Sequence, residues 1–180
     1  MSKPLLIAEV KTKSPFGWKS EKSWDELFEV AEKAADMISI HTDARWGGSF
    51  DLVEKARRLT TKPILAKGIH RDDSQIEEAI KAGADFVLVV GRIPAVHLDK
   101  CLIEPDTLHE LSKIPTNLRV VWNSRDLKTG GLKEETFEEA RALFKGWLCQ
   151  ASNIRTVSDV KTGADAILVG THLAGFIHSI

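Results

Sequence analysis

KAGADFVLVVG (residues 81–91) sets the architecture of the chain. It passes from a helix end through Gly83 and Ala84-Asp85 into an unbroken apolar stretch, Phe86-Val87-Leu88-Val89-Val90. Alternation of apolar and polar residues would mark a strand with one wet face. A continuous apolar run marks a strand buried on both faces, as parallel strands are. KTGADAILVG (residues 161–170) repeats the device, and Gly163 follows Gly83 by 80 positions in a chain of 180. Two half-barrels of four units would give that offset. Convergence of ordinary turns between helix and strand on glycine would give it too.

Outward from these two segments, the same kind of run recurs until there are eight: LLIAEVK (5–11), MISIHTD (37–43), PILAKG (63–68), FVLVVGR (86–92), KCLIEP (100–105), LRVVWNSR (118–125), GWLCQAS (146–152) and AILVGTH (166–172). Helical stretches lie between most of them, and βαβα alternation predicts a parallel sheet. Eight units predict an α/β chain closed as a single (β/α)8 TIM barrel, one domain over residues 1–180. The length is short for that fold, whose usual floor is about 200 residues. Economies are therefore expected. PAVHLD (94–99) has room for one turn only, so the fourth helix is nearly deleted, and the helix after the fifth strand (106–114) is short.

Three helix starts are explicit. Ser23 with Glu26 forms a capping box, and Leu27, Val30, Ala31 and Ala34 make an apolar face behind it. Ser49 opens a second helix with Leu52, Val53, Ala56 and Leu59 inward. Asp72 with Gln75 opens a third, with Ile76, Ala79 and Ile80 inward, and Gly83 ends it. ETFEEARALF (135–144) is a further amphipathic helix with a solvated charged face.

Composition excludes some classes of function. The 25 basic and 26 acidic residues are interspersed and sum to a net charge of −1, which leaves no nucleic-acid or membrane footprint. Cys101 and Cys149 both fall in predicted buried strands and are expected reduced and packed. No apolar h-region or membrane-length run occurs, so the expected location is the cytoplasm. Six histidines show no H-x-x-x-H or His-carboxylate spacing, and no metal is expected.

Barrel enzymes carry their chemistry where the strands end. Glu9 and Lys11 leave the first strand on one side, because side chains alternate with period two. Lys67 ends the third strand, Glu104 the fifth and Asn123 the sixth. Two lysines and two carboxylates at one mouth can shift one another's pKa values and supply an acid and a base. Ion pairs tying off strand ends are the alternative. Barrels also hold phosphate with the loops after the seventh and eighth strands. Here those loops are ASNIRTVSDV (151–160) and GTHLAGF (170–176), where Ser152, Asn153, Gly170 and Thr171 leave the backbone accessible. His172 could touch such a ligand or be an ordinary loop histidine. Trp18 could cap the aromatic end of a pocket or merely bury its own loop.

IAEVKTKSP (7–15) resembles the first strand of indole-3-glycerol phosphate synthases, the decarboxylating cyclases of tryptophan biosynthesis. The resemblance continues in order through SIHTDARWGGSFDL (39–52), PILAKGIHRDDSQIEEA (63–79), CLIEPDTLHEL (101–111), WNSRDL (122–127), ASNIRTVSDV and ILVGTHL (167–173). It implies Lys67 as general acid in ring closure, Glu104 as base or proton relay, and Lys11 as a substrate-contacting proton-transfer lysine. It implies Glu9 and Asn123, with Arg125 beside them, as orienting groups, and Ser14, Ser152, Asn153, Gly170 and Thr171 around a substrate phosphate. A carbon–carbon lyase that needs no cofactor and acts on a small phosphorylated substrate is the activity implied.

The chain departs from the family pattern in three places. Ala151-Ser152-Asn153 stands where Glu-Ser-Gly is usual, Gly68 where Asp commonly follows the lysine, and, with the first strand starting near Leu5, the family's long N-terminal extension is expected to be lacking. A slow synthase is expected from these changes. A sugar-phosphate-binding barrel without turnover, or another phosphate-binding barrel enzyme such as an isomerase, is the alternative. The sequence leaves the oligomeric state open, although thin cover at the fourth helix favours self-association.

Overall fold

The computed structural model describes residues 2–180 and is a closed, all-parallel barrel in which each strand pairs with its sequence neighbours and β8 returns to β1. The strands are β1 (Leu5–Val10), β2 (Met37–His41), β3 (Ile64–Lys67), β4 (Phe86–Val90), β5 (Cys101–Glu104), β6 (Arg119–Asn123), β7 (Leu148–Ala151) and β8 (Ala166–Val169). All eight lie inside the apolar runs. The (β/α)8 expectation holds.

Period-two alternation sorts each strand between two cores. Outward residues such as Ala8, Ile38, Ala66, Val87, Ile103 and Val120 pack under the helices. Inward residues such as Ile7, Leu65, Leu88, Leu102, Val121, Cys149 and Leu168 fill the barrel's middle. Two residues further along, the inward positions become Glu9, His41, Lys67, Glu104 and Asn123, so the apolar plug forms the floor of a polar mouth.

The helices are α1 (Trp24–Ala34), α2 (Phe50–Leu59), α3 (Asp73–Lys81), α4 (Leu108–Leu111), α5 (Phe137–Leu143) and α6 (Leu173–His178). The Ser23–Glu26 capping box forms, and Ser49 and Asp72 accept from Leu52 N and Gln75 N as their spacing predicts. Thr136 adds a second box with Glu139. The expected inward faces of α1 and α2 pack on the core, with one addition and one exception. Phe28 is buried with Ala31 on α1 and stacks on Trp24 at 5.1 Å. Leu59 is exposed, because α2 ends there and the chain turns inward at Thr60, whose hydroxyl donates to Glu32 at 2.6 Å.

The economies fall where expected, with one more. A single 3-10 turn, Leu98–Lys100, replaces the fourth helix, and α4 has four residues. The connection after β7 is likewise reduced to the turn Val157–Asp159.

The echo around Gly83 and Gly163 extends to partners that lie far away in sequence. Arg57 of α2 donates to Gly83 O and Asp85 Oδ2 with one nitrogen, and to Thr60 O and Lys62 O with the other. Arg141 of α5 makes the same four kinds of bond, to Gly163 O, Asp165 Oδ2, Phe144 O and Gly146 O. Asp85 and Asp165 each accept a further backbone N–H, from Ile64 and Leu148, at 2.9 Å. The matched arginines carry the echo beyond the turns themselves, as a half-barrel relation would.

Candidate active site

Glu9 stands at the centre of the mouth. Its Oε2 accepts from Lys67 Nζ at 3.0 Å, while Lys11 Nζ and His41 Nε2 stand 4.0 and 3.9 Å from its Oε1. Burial alone would raise its pKa, but Lys11, Lys67 and His41 outweigh that and hold it down at about 2. Glu104 is as deeply buried and behaves oppositely. Desolvation pushes its pKa above the ordinary carboxylate range, and Lys67, Lys133 and the Asn123 amide only partly oppose this. One mouth therefore holds one carboxylate kept ionised and one that readily takes a proton. That division of labour is what acid–base chemistry needs.

The other groups are placed by their strands. Asn123 ends β6, and its Oδ1 accepts from Ser152 Oγ at 2.6 Å and Arg125 N at 3.0 Å, while its NH2 side faces Glu104. Ser152 and Asn153 are consecutive non-glycine residues with left-handed backbones, φ 69° and 57°. Such strain, of order 1 kcal/mol or more per residue, commonly marks functional turns. Ala151 is buried on the inner side of β7 beside Asn123.

Two adjoining clefts open above this layer. The larger, about 470 Å³, is lined by Lys67, Glu104 and Asn123 and by apolar walls that include Trp46, Ile69, Val90 and Leu127. The smaller, about 340 Å³, lies among Glu9, Ser152, Asn153, Gly170, Thr171 and His172. Lys11, Arg125 and Ser152 line both. These sizes suit a small ligand with an apolar end and an anionic end. Burial, with Lys67 and Arg125 as like-charged neighbours, lowers the Lys11 pKa against the pull of Glu9, which favours proton transfer there.

Ten of the eleven site residues expected from sequence thus converge on one mouth. Ser14 does not line either cleft. It is buried in the loop after β1, where its hydroxyl accepts from Phe16 N at 3.0 Å. Trp18 also stays outside both clefts, with Lys11 Nζ 5.5 Å from its ring centre. Two histidines were not anticipated. His41 lines the larger cleft, and the parity that paired Glu9 with Lys11 would have placed it inward on β2. His70, at φ 49°, contacts Leu88 O through Nδ1 and Thr42 Oγ1 through Nε2, bracing the loop after Lys67. That contact explains Gly68, where a Cβ would come within 2.4 Å of Thr42 Oγ1 and 3.2 Å of the His70 ring.

Gly170 is similarly constrained. A Cβ there would stand 2.7 Å from Glu9 Oε2, the atom that accepts from Lys67. Gly170→Ala should therefore displace Glu9 and lower turnover roughly 10²-fold, the scale of an ångström-level misplacement, with little loss of fold. Steady-state kinetics beside a melting curve check this.

Among the described residues, no group of three or more His, Cys, Asp or Glu side chains is arranged to hold a metal, and no helix is long and apolar enough to cross a membrane.

The profile of the indole-3-glycerol phosphate synthase family matches residues 1–176. The indole-3-glycerol phosphate synthase of Geobacillus sp. (strain WCH70) is 34% identical over 193 aligned positions, covering 93% of this chain and 75% of that protein. That of Bacillus pumilus (strain SAFR-032) is 31% identical, with 93% and 77% covered. Among solved structures, a 3-hexulose-6-phosphate synthase superposes with a TM-score of 0.64 at 16% identity, over 92% of this chain and 89% of that one; the likeness is one of fold.

Proposed function

The chain belongs to the indole-3-glycerol phosphate synthase family, and from that premise we propose that it cyclises 1-(2-carboxyphenylamino)-1-deoxyribulose 5-phosphate to indole-3-glycerol phosphate, releasing carbon dioxide and water. The observation that carries this proposal is the pair of buried carboxylates with opposite proton affinities, Glu9 and Glu104, sharing a mouth with Lys11 and Lys67.

In the proposed scheme the phosphate lies in the smaller cleft, against Ser152, Asn153, Gly170 and Thr171, with Lys11 and Arg125 as its cations. The arene lies between the apolar walls of the larger cleft. Lys67 donates a proton to the ribulose carbonyl oxygen while the carboxyl-bearing ring carbon attacks the carbonyl carbon. Loss of carbon dioxide returns its bonding electrons to the ring and restores aromaticity. Glu104 then removes a proton as Lys11 or Lys67 protonates the departing hydroxyl, which leaves as water. Glu9 stays ionised throughout and holds Lys67 on the reacting side. Buried polar groups that need not reorganise make such a mouth effective. The carbon dioxide and water released drive the sequence without an added cofactor.

The proposed turnover is slow, because Ala151 brings a methyl group to a position facing the reacting centre next to Asn123. Ala151→Glu should raise turnover several-fold while changing the affinity for inorganic phosphate little, since the phosphate loops begin one residue later. Kinetics and phosphate titration of that variant measure the two effects separately. The proposal itself is tested by incubating purified protein with the substrate and separating products by chromatography; a binding-only barrel returns the substrate unchanged.

A further inference from the structure

His41 takes no part in that scheme, yet its ring is fixed as firmly as any group in the mouth. It ends β2 on the inward side and is 4% exposed. Nδ1 accepts the Asp43 backbone N–H at 3.3 Å. A ring nitrogen that accepts carries no hydrogen, so the hydrogen is on Nε2 and the ring is neutral. Burial, with Lys67 and Lys11 nearby, agrees, holding the His41 pKa near 3 against Glu9 and Asp43. Trp46 stacks on the ring at 4.9 Å and 9°. Behind it, Ser49 N donates to His41 O at 3.1 Å, and a Cβ on Gly48 would meet that oxygen at 2.2 Å, so the loop packs tightly against the strand end.

So held, Nε2–H faces Glu9 Oε1 across 3.9 Å, too far for a hydrogen bond. Among the described residues, Glu9 Oε1 is a buried acceptor with no hydrogen-bond partner. Lys11 Nζ, at 4.0 Å, is also beyond bonding distance, and it lines the phosphate cleft as well. A donor and an acceptor set side by side match a group that both accepts and donates, which is a hydroxyl. A carbonyl or ether oxygen would leave Glu9 Oε1 unpaired, and a carboxylate would be repelled by it.

We propose that His41 Nε2–H and Glu9 Oε1 together seat one hydroxyl of the substrate's ribulose chain, His41 donating to it and Glu9 accepting from it. The proposal rests on the synthase function proposed above and adds a specificity-determining residue to it. When Lys11 engages the phosphate, the approach to Oε1 opens for that hydroxyl.

The test compares wild type, His41→Leu and His41→Gln with the substrate and with two analogues, each lacking one of the ribulose-chain hydroxyls at C3 and C4. Leu should raise KM for the substrate about 3- to 10-fold, the worth of one hydrogen bond, with a smaller change in kcat. Gln, which keeps a donor near the Nε2 position, should recover part of the loss. With one of the two analogues, wild type and His41→Leu should bind alike. An unchanged KM in His41→Leu overturns the seat, and so does an equal penalty with the substrate and both analogues, which is the mark of a purely structural role. If His41→Leu fails to fold, nitrogen NMR of the wild-type ring decides: a hydrogen on Nδ1 at neutral pH overturns the seat, and Nε2–H that shifts on substrate binding supports it. Should wild type form no indole product, the synthase proposal falls first and takes the seat with it; a product-forming wild type with an indifferent His41 removes the seat alone.

Discussion

Lys67→Ala should lower formation of the indole product by roughly 10²–10⁴-fold, the range spanned by a positioned general acid. It should also destabilise the fold, by about 1–3 kcal/mol, because it strips the bonded cation from a buried carboxylate. From sequence, a lysine at a strand end has little packing to lose. In the structure, however, Lys67 Nζ makes the hydrogen bond that holds Glu9 Oε2. The pH dependence follows from Glu9. Its folded pKa of about 2 lies below the ordinary glutamate value of 4.5, so its contribution to stability is present above that ordinary value and is lost as pH falls toward 2. Lys67→Ala should shrink that contribution and make the protein unfold at higher pH in acid titrations. A variant with wild-type turnover would remove the proposed acid, and one with unchanged acid stability would remove the ion pair.

Glu104→Gln should move activity and stability in opposite directions. Loss of the base should cost at least ~10²-fold in turnover. Stability near neutral pH should rise, because Gln occupies the same volume without a charge to desolvate. The sign follows from the raised pKa: the folded state binds the Glu104 proton more tightly than the unfolded chain does. Stability is therefore full below the unfolded pKa and declines as pH rises through the folded one. The wild-type kcat/KM profile should show an acid limb above the ordinary carboxylate range, and Glu104→Gln should lack it. Melting curves at acid and neutral pH, set beside the rate profile, test both halves. A variant that is both active and less stable would reduce Glu104 to an ion-pair residue.

Much of this was legible in the chain because parallel strands are buried on both faces, and runs such as FVLVV and CLIE announce themselves without structural help. Parity along β1 gave Glu9 and Lys11 a shared face, and the strand-end positions of Lys67, Glu104 and Asn123 needed only the barrel to bring them together. His41 sits in the same kind of register, alternating with Ile38 and Ile40, but a buried neutral histidine has no sequence motif and metal-ligand spacing does not find it. His70 was hidden for another reason: its partners, Thr42 just after β2 and Leu88 on β4, are distant in sequence. The matched clamps of Arg57 and Arg141 likewise span two connections each, so no local pattern contains them. Ser14 shows the limit of motif transfer, since its place in a strand-one signature does not by itself direct its hydroxyl to the ligand. The lost helix after β7 was obscured by polar residues that suit a loop or a helix equally.

The most direct measurement follows carbon dioxide release and indole-3-glycerol phosphate formation together, in wild-type protein supplied with substrate labelled at the carboxyl carbon. The proposed function predicts that both appear at one rate and in a one-to-one ratio, slowly in wild type and not detectably in Lys67→Ala. Substrate that binds yet returns with its label intact would contradict it.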